Sequence, residues 1–401
     1  MIGDGKELAT VFIGIDTGSE SDLFEVTPKE VILGESLLTP GLQTSVKVDS
    51  FIHRLPEKNW DNFKGKTLRI EVSKEILKLL GMSYSMSVNQ KIYRVDGRHL
   101  VDNNNERFYI RACDQSQLND AETLVSKSWK CTSPSDIVSY VLRNCAGVNY
   151  AEIQESEPAR DYVAENIHPF QVVSQQANYA LDGDDPSFVH YMTYDENRAV
   201  GIHHFKSLKR LCAQRPIMQF THNETNTTYL DPTSIMRYSF PCDFDLLSDI
   251  LNGVNSSGRD INSIALFNPV LKSFSLLGND SYGCGIGSGV FKAAITNMNS
   301  AQQQDSCPDY ASVYLLKRQA RMNLLEKDKI ALRLTVPFNP ILHAGKVIGV
   351  NLYNKDALPK PILRYGSGDY LILHMFHHIL PGGLATTVMD CVSTTVGSGE
   401  V

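Results

Sequence analysis

The 401-residue chain has eight cysteines but no Cys-x-x-Cys spacing, so neither a zinc knuckle nor a dithiol redox motif is written in it. Cys113, Cys131, Cys145, Cys212, Cys242, Cys284, Cys307 and Cys391 are scattered, the pattern of free thiols in a reducing compartment. No apolar run approaches the ~18–20 residues of a membrane span. Residues 1–6 lack the basic-then-apolar order of a secretion signal. Folding in a cytoplasm, without membrane insertion, is the expectation. Positive charge is also scarce: 38 Lys and Arg against 45 Asp and Glu leave a net charge of −7. A general nucleic-acid binder needs a basic footprint that releases counterions, so the charge argues against that class. A wall past which nucleic acid slides without sticking remains compatible.

Nucleotide and hydrolase signatures are missing too. Gly283, Gly285, Gly287 and Gly289 alternate, but neither Gly-x-Gly-x-x-Gly nor a following Lys-Ser/Thr is present, so a loop is expected. No Gly-x-Ser-x-Gly elbow occurs. His374, His377 and His378 are the best metal-ligand candidates by proximity. On a strand, His374 and His378 face one side and His377 the other, with no carboxylate to complete a set. His203 and His204 likewise alternate, so packed or surface histidines are expected. Asn223 and Asn226 fit the glycosylation pattern but serve as turn residues. Lys317, Arg318 and Arg321 make a basic helix face, ordinarily a solvated one.

What is present is mostly β sequence around a central α/β stretch, 168–211. Pro169 suits a first helical position, and Phe170, Val173, Ala177 and Leu181 recur at helical spacing. Pro186 closes that helix. Strands over 187–194 and 199–205 follow, joined by a polar turn. Upstream, Ser133-Pro134 opens a helix over 136–145 that Gly147 ends. Residues 121–125 suggest one further turn of helix. The first ~112 residues alternate as half-buried strands, with a hairpin over 91–98 and 107–113. After Arg215-Pro216 the chain turns β again. Strands are expected at 330–336 and 345–352, with a last hairpin over 370–379 and 384–392. A helix is expected over 309–325.

These patterns divide the chain into a first β portion (1–112), a helix-and-hairpin module (113–211), a second β portion (212–241 and 326–393), an inserted segment with a helix (242–325) and a tail (394–401), each β portion being one β-barrel if the two are copies of each other. The class is α+β, mainly β. Residues 65–72 also resemble 329–336, and each is followed by a hairpin ending near a cysteine, Cys113 or Cys391. Two short matches are weak evidence, because strands resemble one another by composition. If they mark a duplication, three chains would make a ring of six similar barrels.

The chain resembles the central hub protein of contractile-phage baseplates from about Glu25 to Val392. The likeness lies in the order of several segments: Val125 to Trp129, Ser135 to Leu142, His168 to Ala177, Pro186 to Val189, His203 to Leu208, Leu334 to Gly345, and Gly368 to Ile372 with the closing hairpin. The resemblance implies a homotrimer with two antiparallel tail-tube-like barrels per subunit, joining a sixfold tail tube or tube-initiator ring to a trimeric membrane-piercing spike. It implies a channel for DNA and, in some phages, a tape-measure protein, with baseplate wedge proteins as further partners. The place implied is the virion tail baseplate, assembled in the host cytoplasm. Such hubs are scaffolds, so the resemblance carries over no catalytic, cofactor or metal residue. The segment 242–308 departs from the family. Type VI secretion spikes share the hub fold but continue into a needle, so a chain stopping after the second barrel favours the phage hub. Two alternatives are a metal-dependent hydrolase using the late histidines and a receptor- or sugar-binding module at the virion tip.

Overall fold

The computed structural model describes residues 9–16, 23–25, 28–51, 63–77, 82–102, 105–183, 185–195, 199–222, 232–242, 264–268, 273–277, 292–295, 331–354, 362–363 and 366–393. The first β portion contains β1 (Thr10–Asp16), β2 (Leu23–Glu25), β3 (Pro28–Ser36), β4 (Gln43–Phe51), β5 (Thr67–Leu77), β6 (Met82–Leu100) and β7 (Asn105–Cys113). The middle carries α1 (Gln115–Glu122), β8 (Val125–Thr132), α2 (Pro134–Asn144), β9 (Ala151–Ile153), β10 (Arg160–Ile167), α3 (Pro169–Ala177), β11 (Phe188–Tyr194), β12 (Gly201–Ser207) and α4 (Leu208–Cys212). Next come β13 (Gln219–His222), β14 (Arg237–Cys242), β15 (Ile264–Asn268), β16 (Ser273–Leu277) and β17 (Lys292–Ile295). The last are β18 (Ala331–Pro337), β19 (Val347–Asn354), β20 (Ile362–Leu363), β21 (Gly368–Ile379) and β22 (Ala385–Ser393). The class is mainly β with mostly antiparallel ladders, as the alternating sequence predicts. The described ladders of the two β portions run into one seventeen-stranded sheet.

The two β portions repeat each other in ladder order. In the first, antiparallel pairs run β3–β4, β4–β7, β7–β6 and β6–β5. In the second they run β14–β18, β18–β22, β22–β21 and β21–β19. The register repeats as well. Thr44↔Ala112 and Val46↔Ile110 match Leu332↔Cys391 and Leu334↔Met389. A bulge interrupts β6 between Ile92 and Arg94, and another interrupts β21 between Ile372 and His374. A bulge leaves one residue unpaired and increases local twist. Beside each bulge the backbone bonds coincide: Gly65 N–H to Ile92 O at 2.8 Å and Ile92 N–H to Lys66 O at 2.9 Å, then Gly345 N–H to Ile372 O and Ile372 N–H to Lys346 O, both 2.9 Å. Both glycines have left-handed φ, +71° and +80°, which glycine adopts without steric penalty. The symmetry fails at the flank, where β1 meets β5 antiparallel and β13 meets β19 parallel.

This corrects the pairing expected from sequence. Residues 67–72 form the start of β5, preceded by Gly65-Lys66, and its counterpart is β19, preceded by Gly345-Lys346. The described part of 329–336 belongs to β18, whose counterpart is β4. Alternation made β5 and β18 look alike because both are half-buried strands; the local backbone signal was Gly-Lys ahead of each strand. The cysteine comparison survives, since β7 and β22 are equivalent.

Strand β21 serves both portions. It pairs with β22 along its length, while its other edge pairs with β19 over residues 368–371 and with β3 over 374–379. Ile379 and Ala385 at the hairpin end are therefore packed into the core of the first portion, with Val31, Leu33, Val46 and Ile70. A separate core lies among β18, β19, β21 and β22, including Leu334, Val336, Ile348, Val350 and Met389. Each such fully buried side chain contributes about 1.5–3 kcal/mol by leaving water.

In the middle, Ser133 Oγ accepts the Asp136 N–H at 3.2 Å to cap α2, and Ile137, Val138, Val141 and Leu142 pack against Val172 and Val173 of α3. Pro169 stands in the first turn of α3, but His168 does not cap it; Asp120 Oδ1 accepts the Phe170 N–H at 2.6 Å instead. The helix predicted at 121–125 lies earlier, as α1, and Val125 begins β8. The two-stranded β8–β10 ribbon escaped the pattern because most of β8 is exposed on both faces. β15, β16 and β17 form a three-stranded sheet of their own, separate from the large one. The expected helix at 309–325, the turn at 223–226, the glycine run and the tail lie outside the described residues.

Candidate functional site

The hairpin β11–β12 carries three of the four histidines of residues 113–211, His190, His203 and His204. Alternation sends His203 and His204 to opposite faces, as the sequence predicts. On one face His203 Nδ1 lies 3.0 Å from His190 Nε2, and its Nε2 lies 2.9 Å from Ser116 Oγ. Ser116 Oγ donates to Asp114 Oδ1 at 2.6 Å. Protons can therefore be placed: Ser116 accepts from His203 Nε2–H, and His203 Nδ1 accepts from His190 Nε2–H. The order is Asp–Ser–His, with the serine proton committed to the carboxylate. A catalytic triad needs the histidine between the other two, so this set makes no nucleophile. Phe170 stands edge-on to both rings, at 5.2 and 5.4 Å. Burial pushes His190 down to about 3 and His203 well below its usual value.

The opposite face opens on a cleft of about 160 Å³ between the middle region and the second β portion, lined by Glu152, Tyr191, His204, Lys206, Gln214 and Lys346 among others. Glu152 Oε2 accepts from Lys206 Nζ at 2.5 Å and lies 3.2 Å from His204 Nδ1. The His204 hydrogen bond, with Lys206 adding to it, holds the Glu152 carboxyl far below the usual carboxylate range. Thr193 Oγ1 meets His204 Nε2 at 2.9 Å, and Tyr191 stacks on the same ring at 4.7 Å. Lys206 and His204 thus answer the Glu152 charge where it stands.

Glu35 is the residue that sequence reasoning missed. Its carboxylate accepts the N–H of Tyr194 and that of Ala344, both at 2.8 Å, and meets His343 Nδ1 at 2.9 Å. Three parts of the chain therefore converge on one side chain that is 4% exposed. The signal was present: Val31, Leu33, Glu35 and Leu37 form a single inward-facing series. A carboxylate in that series needs donors from elsewhere.

The late histidines do not converge. His377 is buried, with Nδ1 2.9 Å from Thr387 Oγ1, while His378 Nε2 reaches Glu30 across the β3–β21 ladder at 2.7 Å. No cluster of three or more His, Cys, Asp or Glu able to hold a metal occurs among the described residues. Burial pushes the Cys113 thiol up to about 11 and that of Cys391 higher still, so neither supplies a thiolate at neutral pH.

The outer features are strand edges. Beyond Thr67↔Lys91 the β5 ladder ends, and among the described residues β6 from Tyr93 onward pairs only with β7. Tyr93, Leu100 and Val101 there are 53%, 60% and 45% exposed. β14 likewise has a described ladder only with β18.

No protein-family model and no characterised protein sequence matches the chain. Solved structures do. A tail protein from Neisseria meningitidis MC58 aligns over 98% of this chain and 99% of its own, with a TM-score of 0.57 and 8% identity. The 43 kDa tail protein of prophage MuSo2 from Shewanella oneidensis aligns over 96% and 98%, with a TM-score of 0.58 and 6% identity. A component of the E. coli type VI secretion system, itself described as similar to T4 tail proteins gp27 and gp5, covers 95% of this chain and 76% of its own at a TM-score of 0.50 and 9% identity. The chain has the fold of phage tail proteins and of type VI secretion spike-related proteins.

Proposed function

We infer that this chain is the structural hub of a phage tail baseplate: a homotrimer whose two β repeats make a pseudo-sixfold ring between a sixfold tail tube and a trimeric spike, with a central passage for DNA. The observation that carries this reading is the repeat of ladder order, and of register up to the bulge at Asp96–His99, between β3–β7 and β14–β22. Two equivalent repeats per chain are what a threefold assembly needs to offer six similar places to a sixfold partner. Each repeat acts as one tube-like barrel, with the helical module between them. The fold likeness to tail proteins supports the virion tail as its place. The net charge of −7 suits a passage that does not retain DNA. The described site residues serve packing and charge neutralisation, in keeping with a scaffold.

Light scattering of the purified chain, alone and with the cognate spike, followed by particle images, tests this. Threefold rings with a central hole are expected. A monomer that never assembles with spike or tube proteins would overturn the reading.

A further inference from the structure

We propose that the ring is closed by edge-to-edge pairing of β14 in one copy with the far half of β6 in the next copy. This rests on the trimeric reading above and names the surfaces that make it. Its basis is a contact the chain already makes with itself. β3 of the first repeat pairs antiparallel with the far half of β21 in the second, from His374↔Ser36 to Ile379↔Val31. The near half of β21 is occupied by β19.

The counterparts of these two partners are β14 and the far half of β6. Met375 and Val95 are equivalent, because they oppose Met389 and Ile110. A second bulge follows in β6, between Asp96 and His99, so His378, which opposes Thr386, corresponds to His99, which opposes Arg107. Tyr238 and Val31 are equivalent, because they oppose Leu334 and Val46, so Ser239 corresponds to Ile32. His378 opposes Ile32 within the chain. His99 of one copy therefore opposes Ser239 of the next.

The near half of β6 is occupied by β5, as the near half of β21 is by β19. Its far half is flanked by exposed Tyr93, Leu100 and Val101. A strand edge without a partner among the described residues, beside exposed apolar side chains, is a template for another chain, and burying the three removes apolar area from water. The contact is head-to-tail, since β14 and β6 are different surfaces of one chain. Such contacts close into rings or run on as filaments. Three copies alternating the internal β3–β21 contact with the external β14–β6 contact close after six repeats.

The test oxidises the full chain carrying His99→Cys and Ser239→Cys, beside each single variant, and reads non-reducing gels together with light scattering. Opposed residues of an antiparallel pair lie ~4.5–5.5 Å apart at Cα, within disulfide range, so about tenfold more covalent product is expected from the double variant than from either single one. That product should stop at the trimer. A threefold particle without the crosslink overturns the edge pairing and leaves the hub reading intact. A monomer that neither assembles nor crosslinks overturns both. Equal crosslinking in a single variant, through a native thiol such as the exposed Cys131, or a ladder running past the trimer, counts against the proposed closure.

Discussion

Gly345 lies against Tyr191: a Cβ built on that glycine would stand 2.7 Å from the tyrosine hydroxyl oxygen. Its counterpart, Gly65, has the same left-handed backbone and nothing within 4 Å of such a Cβ. The two glycines thus share one conformational demand and differ in one contact.

That difference yields a paired test. Gly65→Ala should cost about 1 kcal/mol, the penalty of an L-residue with left-handed φ. Gly345→Ala should cost about 2–4 kcal/mol, because overpacking adds to the same backbone strain. Urea midpoints of the two variants measure it. Equal costs would mean that Tyr191 yields freely.

Glu35→Gln should destabilise the whole chain by about 3 kcal/mol, because an amide leaves one buried N–H facing a donor and removes a charge from three hydrogen bonds. Since Tyr194 and Ala344 come from different portions, loosening should appear in both by amide hydrogen exchange. A loss confined to β3 would contradict the shared role.

Stability should fall as pH is lowered from 7 to 5. Burial pushes His190 and His377 down to about 3 from an ordinary 6.5. The unfolded chain therefore binds more protons than the folded one between those values, and stability present above 6.5 is lost on descending through the window. Each histidine contributes about 1.4 kcal/mol per pH unit there. His377→Gln should flatten the slope by about one proton's worth; a urea midpoint indifferent to pH over this range would contradict it.

Asp120→Ala should cost about 1–2 kcal/mol by uncapping α3, whereas Asp120→Asn, which keeps an acceptor for the Phe170 N–H, should cost less. Thermal unfolding of the two variants separates them. Equal losses would place the effect in burial of the carboxyl, which raises its pKa, rather than in capping.

Much of the fold was legible in local chemistry. Ser133-Pro134 and Pro169 marked helix starts, and the hairpins β6–β7, β11–β12 and β21–β22 followed from alternation and turn residues. The repeat was legible as well, but through Gly65-Lys66 and Gly345-Lys346 rather than through the strands behind them, since turn backbone is more particular than half-buried alternation. The junction was harder. Glu35, Tyr194 and His343 are brought together by long-range strand order, which leaves no short-range periodicity, and β8 shows little alternation because so much of it is exposed.

One strand belonging to two ladders also governs what the chain can tolerate. Moving β21 by a single residue would turn side chains inside out in both halves at once, so no correct half could survive to rescue the other. Errors during synthesis should then be all-or-nothing, and the assembling particle would meet sound subunits or none.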